Sequence, residues 1–334
     1  MSPLHEDIAE GLEHDGPDAI SLRSPSDLYV RWERQHWQVE AVDVGRDHVA
    51  WMHLRPFVRD ELRSGIAELH SGEVCVTETL TPLIDFAPTS AQRLYLATQI
   101  ADEARHVRFF SDYSARVTDA DRAGPAVGDE PQGPYMDRFD PALRRATLAV
   151  RERPDDPGAW YEACVYYHFI TEGVLASTVL RSMLALLRNI GTLCALLEGL
   201  VNVARDESRH ISFGLGAVRD GVAAGHAERI EAACLEAIAL AAHVLVGPER
   251  RQPAPIFPAA LKLRAHQLAG QWDFARTRMR RNLRVADLVS FDSAACAAWD
   301  GACSHALDAY ATTWGEEHPV RRTASNPISD GARA

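Results

Sequence analysis

Two pentapeptides, "DEARH" (102–106) and "DESRH" (206–210), share four of five letters in the same order, 104 positions apart. Each contains Glu-x-x-His: Glu103 with His106, and Glu207 with His210. Residues three apart lie on one face of a helix, so each copy points a carboxylate and an imidazole the same way. One such match is weak, because Glu and His are ordinary surface residues. Two matches, each with Asp before the Glu and Arg before the His, are harder to assign to chance.

The surroundings of both copies are helical. Ala, Leu, Arg and Glu dominate, and strand-like alternation is scarce. Ser24 or Ser26 can cap a helix through "DLYVRWERQHW", and Thr89 or Ser90 one through "AQRLYLATQIADEARHVRFFSDYSARV". A long pattern from about 49 to 84 breaks near Pro56 and bends or ends at Pro82. Residues 119–140 carry three Pro and five Asp and read as a loop. A nearly all-round apolar helix covers about 157–188, the pattern of a buried helix, and Gly191 marks the turn after it. Further helices run through about 192–222, 226–246 and 258–313. The expected fold is an all-α bundle with four long helices at its centre. Residues 23–313 form one domain, with its metal-binding core at about 60–222, between mobile ends at 1–22 and 314–334.

A dinuclear carboxylate site in a four-helix bundle takes Glu-x-x-His from two helices and one Glu from each of the other two. The apolar helix supplies Glu172, the only acid between Tyr166 and Ile190. An isolated carboxylate in so apolar a stretch is costly unless paired or metal-bound. The helix before Glu103 offers Glu68, Glu73 and Glu78. The turn centres near Ala87–Pro88; Glu73 lies 14–15 residues before it and Glu103 15–16 after. Glu73 therefore matches in depth, Glu68 is too far and Glu78 too near. The set Glu73, Glu103, His106, Glu172, Glu207 and His210 has four carboxylates, whose charge balances two divalent ions. Oxygen-rich ligands with one His per metal suit iron or manganese rather than a thiolate-bound structural zinc.

The bulk numbers narrow the rest. The chain has 334 residues, 46% of them hydrophobic, and a formal net charge of −12. So acidic a chain is a poor fit for nucleic acid or an anionic membrane. Its six cysteines form no C-x-x-C pair, and most sit in apolar surroundings, which points to reduced thiols in the cytoplasm. The acidic N-terminus is not a signal peptide, and no uncharged apolar run is long enough to span a bilayer.

At this point the residues resemble a known family. "GEVCVTETLTPLI" (72–84), "DEARHVRFF" (102–110), "YYHFITEGVLA" (166–176) and "RDESRHISFG" (205–214) are similar to segments of ferritin-like dinuclear metal carboxylate proteins. The nearest resemblance is to the ligand-binding oxidases related to the ribonucleotide reductase small subunit, over about residues 25–290. The resemblance implies a di-iron or manganese–iron centre, O2 as co-substrate, an external electron donor and a homodimer. It also implies an ether cross-link between Val76 and Tyr167, and a hydrogen bond from His106 to Asp206. It assigns no such role to the twin Asp102, for which solvation stays open.

The departures shape the function. The reductase's radical Tyr position is Phe110 here, and no Tyr follows Tyr310, which disfavours a reductase partner. Val74 follows Glu73 where the oxidases often show a second Glu, and Glu78, Thr79 and Thr81 make that stretch more polar than a fatty-acid site. The extra His of one N-oxygenase type is Val203. The resemblance therefore implies an O2-activating dinuclear oxidase or oxygenase acting on a small organic substrate. Alternatives are an N-oxygenase of natural-product biosynthesis acting on an amine, hydroxylamine or hydrazine, and a fatty-acid-binding oxidase that forms the Val76–Tyr167 link.

Overall fold

Helix α1 (Pro25–Gln35) begins where the Ser24 side chain accepts a hydrogen bond from the Asp27 amide. α2 (Pro56–Thr79) starts on its proline, and a short helix, Thr81–Asp85, turns the chain. α3 (Ser90–Tyr113) opens with a capping box between Thr89 and Gln92. After α4 (Asp140–Glu152), one continuous helix α5 (Pro157–Ile190) crosses the molecule. It ends at Gly191, whose φ of 72° is the left-handed conformation that glycine adopts without strain. α6 (Cys194–Gly221), α7 (Ala227–Val246), α8 (Pro258–Val285) and α9 (Asp292–Trp314) complete the long elements. The computed structural model describes residues 22–118, 133–252 and 258–324. No strand occurs among them.

The expectation of an all-α bundle with four central helices holds. The central four are α2, α3, α5 and α6, and each changes character at one level. On α2, Leu62, Ile66 and Leu69 belong to one apolar cluster and Val76 and Leu80 to another, with Glu73 between. On α3, Tyr95 and Leu96 are separated from Phe109, Phe110 and Tyr113 by Asp102, Glu103 and His106. α6 repeats this, with Leu200, Val203 and Ala204 on one side of residues 206–210 and Ile211 and Phe213 on the other. A buried polar layer thus divides the core.

α5 is irregular where it meets that layer. Val165–Ala176 is π-helical, a conformation usually limited to single turns near functional sites. Its widened i→i+5 spacing is reinforced by hydroxyls: Thr171 donates to the Tyr166 carbonyl and Ser177 to that of Glu172. From α8, the buried Asn282 amide donates to the Gly173 carbonyl. By length and composition α5 could cross a membrane, but its most apolar window is 67% buried inside the fold, as in a core helix.

Two boundaries differ from expectation. The loop expected over 119–140 is π-helical at Tyr135–Phe139, where the chain runs directly into α4; residues 119–132 lie outside the described residues. The segment expected to be mobile from 314 continues as a short helix, Pro319–Ala324. It is tied down by a buried His318 and by ion pairs from Arg321 to Asp308 and Arg322 to Glu316. The ends at 1–21 and 325–334 lie outside the described residues.

Removing the α3 cap tests this reading of the chain's local signals. Thr89→Ala should cost about 1 kcal/mol of stability, measured by urea denaturation.

Candidate metal centre

The side chains in the polar layer come from all four central helices. His106 Nδ1 lies 3.3 Å from Glu73, 3.4 Å from Glu103 and 3.5 Å from Glu207. His210 Nδ1 lies 3.3 Å from Glu103 and 3.8 Å from both Glu172 and Glu207. Glu103 and Glu207 therefore reach both imidazoles, one through each oxygen. Glu73 serves only the His106 side and Glu172 only the His210 side. All six residues are buried. Two groups with ligand atoms mutually within 4.8 Å result: Glu73, Glu103, His106 and Glu207, and Glu103, Glu172 and His210.

Glu73 is buried in the layer, whereas Glu68 pairs with Arg250 and Glu78 with Arg144 at the surface.

The electrostatics are those of a site crowded with like charge. Burial, and then the neighbouring carboxylates, push the carboxyls of Glu73, Glu172 and Glu207 upward. Burial also opposes the charge of Glu103, but His210 and His106 overcome it and hold that carboxyl down at about 2. Burial disfavours charge on the imidazoles as well, yet the attraction of Glu73 for His106 and of Glu103 for His210 raises both well above the ordinary histidine range.

Several atoms in this layer lack a hydrogen-bonding partner: Glu103 Oε2, Glu172 Oε2, Glu207 Oε2 and His210 Nδ1. Buried polar atoms are normally satisfied, and orphans cost free energy. All four belong to residues of the two groups above, and Glu207 Oε2 lies 3.8 Å from His210 Nδ1. Cations placed between them would satisfy all four, so the donor set fits two metal ions.

Each histidine turns its other nitrogen outward to an aspartate. His106 Nε2 donates to Asp206 at 3.2 Å, and His210 Nε2 donates to Asp102 at 3.2 Å. Asp206 occupies the place expected of it. Asp102 is its structural twin, buried rather than solvated. A carboxylate on Nε2–H leaves the Nδ1 lone pair directed at the centre.

The two aspartates are tied together. Arg209 Nη2 donates to Asp102 at 2.8 Å and to Asp206 at 2.6 Å. Arg105 Nη1 pairs with Asp102 at 2.9 Å and with Asp206 at 3.2 Å. Indole N–H groups complete the set, Trp32 on Asp102 at 2.8 Å and Trp37 on Asp206 at 2.7 Å. Burial opposes charge on both aspartates, but these donors and the histidines keep both carboxyls below their ordinary range.

The conserved spelling within the pentapeptide is thus fully used: Glu and His face the centre, while Asp and Arg form the network behind it. The residues that the sequence reasoning did not single out are Arg105, Arg209, Trp32, Trp37 and Gln99. The repeated Arg was a visible signal; the two Trp and Gln99 carried none.

A cavity of about 850 Å³ opens beside the centre. Glu73, Glu103, Glu172 and Glu207 line it, with Val76, Leu69, Thr171, Tyr135, Met136 and Leu175 along its walls. Its size suits a small organic molecule. Tyr167 lies on the opposite side of Val76, with its hydroxyl 3.3 Å from the Val76 carbonyl and 3.5 Å from Glu103. Phe110 is fully buried in the apolar cluster below the layer.

The helical bundle has a fold similar to that of R2-like oxidases. No family model matches the chain. Among solved structures, it is similar to an R2-like ligand-binding oxidase from Sulfolobus acidocaldarius, with 21% identity and a TM-score of 0.59 over 76% of this chain and 90% of that one. A mutant R2-like ligand-binding oxidase with an anaerobically reconstituted Mn/Fe cofactor is similar at 20% identity and a TM-score of 0.57, over 84% and 98% of the two chains. Another, with an aerobically reconstituted metal cofactor after photoconversion, gives 19% and 0.56, over 87% and 98%.

Arg209→Met would leave two buried carboxylates sharing one remaining guanidinium. It should lower the unfolding free energy by about 3–5 kcal/mol, the cost of breaking a buried ion pair from one side. Urea denaturation of both proteins measures this, with circular dichroism as the probe.

Proposed function

We propose that the chain is an O2-activating dinuclear metal oxidase or oxygenase that oxidises a small organic molecule held in the cavity. The observation that carries this reading is the pair of inward Nδ1 atoms facing four carboxylates, two of them shared and three with an unpartnered oxygen. Two Fe ions, or one Mn and one Fe, fit that donor set. The Mn/Fe cofactors of the structurally similar oxidases support the same choice. Such a pair supplies O2 reduction and two-electron oxidation, with electrons from an external donor.

The chain's own residues do the rest. Asp102 and Asp206 fix the tautomer of each histidine. Glu103 and Glu207, which lie near both imidazoles, would hold both ions, while Glu73 and Glu172 would each complete one side. The apolar clusters above and below the layer exclude water, which keeps the oxidant from side reactions. The cavity brings substrate against Glu73, Glu172 and Val76. All six thiols are free, which suits a reducing cytoplasm.

The position of Tyr167 favours a second outcome of the same chemistry, an internal ether between Val76 and Tyr167. The hydroxyl lies 3.3 Å from the Val76 carbonyl and 3.5 Å from Glu103, and O2 would take up the two electrons and two protons that forming the ether from C–H and O–H releases.

Protein reconstituted in air with Fe(II) and Mn(II) should carry close to two Fe/Mn ions per chain by elemental analysis. Glu172→Ala should lose bound metal and O2 consumption; retention of both would overturn the assignment. Metal at a hundredfold excess over its Kd should add about 2.7 kcal/mol of stability, so a chelator should lower Tm. The ether should appear as an intact mass lighter by two hydrogens after aerobic reconstitution, and should be absent from Tyr167→Phe.

A further inference from the structure

The two carboxylates that serve one side each, Glu73 and Glu172, have unequal surroundings. Gln99 Nε2 lies 2.7 Å from Glu172 Oε1 and 3.2 Å from Glu103 Oε1. No comparable amide donor faces Glu73 among the described residues. Metal-ligating carboxylates are ionised and only accept hydrogen bonds, so the Gln99 nitrogen must point at them. The Gln99 oxygen then faces the other way, 3.1 Å from His168 Nε2. An amide oxygen also only accepts, so His168 must carry its proton on Nε2.

His168 is built into this role. It is fully buried, four residues before Glu172 in the π-helical stretch. Burial, and then the charge of His210, lowers it to about 3, so the ring is neutral. Its Nδ1 has no hydrogen-bonding partner. Its side chain packs against Gly214 of α6, where an added Cβ would sit 2.0 Å from the His168 Cβ. Only glycine lets the two helices approach this closely.

We propose that Gln99 and His168 are positioning residues that pin Glu172 by Oε1, the oxygen 3.8 Å from His210 Nδ1, and so fix how that carboxylate meets the His210-side ion. The two ions then differ in affinity because one terminal carboxylate is clamped and the other is not. This rests on the dinuclear reading above.

Anaerobic Fe(II) titration against a competing chelator tests it. The wild type should take up two ions in separable steps. Gln99→Met, which keeps the volume and removes the donor, should weaken one ion by about tenfold or more, the usual cost of losing an outer hydrogen bond. The other ion should move by less than about twofold. The weakened ion should be the one lost in His210→Ala. His168→Phe should move the same step in the same direction, and His168→Gln, which can still donate to the amide, should restore it. Independently of any variant, 15N shifts of the Zn(II)-loaded protein should show His168 protonated on Nε2. Unchanged affinities in Gln99→Met, equal losses at both ions, or a His168 proton on Nδ1 would each overturn the proposal. A wild type that takes up no Fe(II) would instead overturn the dinuclear reading itself, and this proposal with it.

Discussion

Four carboxylates and two imidazoles meet in one buried layer, and the mutual repulsion of the carboxylates is the constraint on which the bundle depends. Isolated buried charges of one sign are too costly to keep. In this chain the cost is met in two ways. Behind the histidines, two Asp, two Arg and two Trp form a closed network with every carboxylate oxygen facing donors. In front of them, three glutamate oxygens and one imidazole nitrogen stay unpartnered. The first arrangement is complete within the protein. The second is complete only with cations.

The geometry of the helices follows from that division. Each central helix buries apolar residues above and below the layer and its buried carboxylates only within it. α5 departs from regular spacing across this level, and the π-helical stretch presents His168 and Glu172 to the same interior. Gly214 gives α6 the clearance to meet it. The distortion is held open by hydroxyls of α5 itself and by Asn282 from α8, so a residue far along the chain supports the conformation at Glu172.

Much of this was legible in the sequence, for identifiable reasons. The doubled pentapeptide announced two helices, and the solitary acid Glu172 announced a third. Symmetric distances about the turn at Ala87–Pro88 were enough to prefer Glu73 over Glu68 and Glu78, because helix rise converts sequence distance into depth. Asp206 came from resemblance, and its twin Asp102 could have been inferred from the repeat itself. Trp32, Trp37, Gln99 and His168 were not legible. Their roles depend on which side chain lies across a helix interface, and nothing local in their segments marks them. The π-helical stretch was hidden for a similar reason: its apolar composition fits an ordinary buried helix equally well.

The central claim is that this layer binds two metal ions, one on each histidine. Anomalous diffraction at the iron and manganese edges, from crystals of protein loaded with both metals, tests it most directly. Two peaks are expected, one beside Nδ1 of His106 and the other beside Nδ1 of His210, with Glu103 and Glu207 between them. A single peak, or none within the layer, would contradict the account.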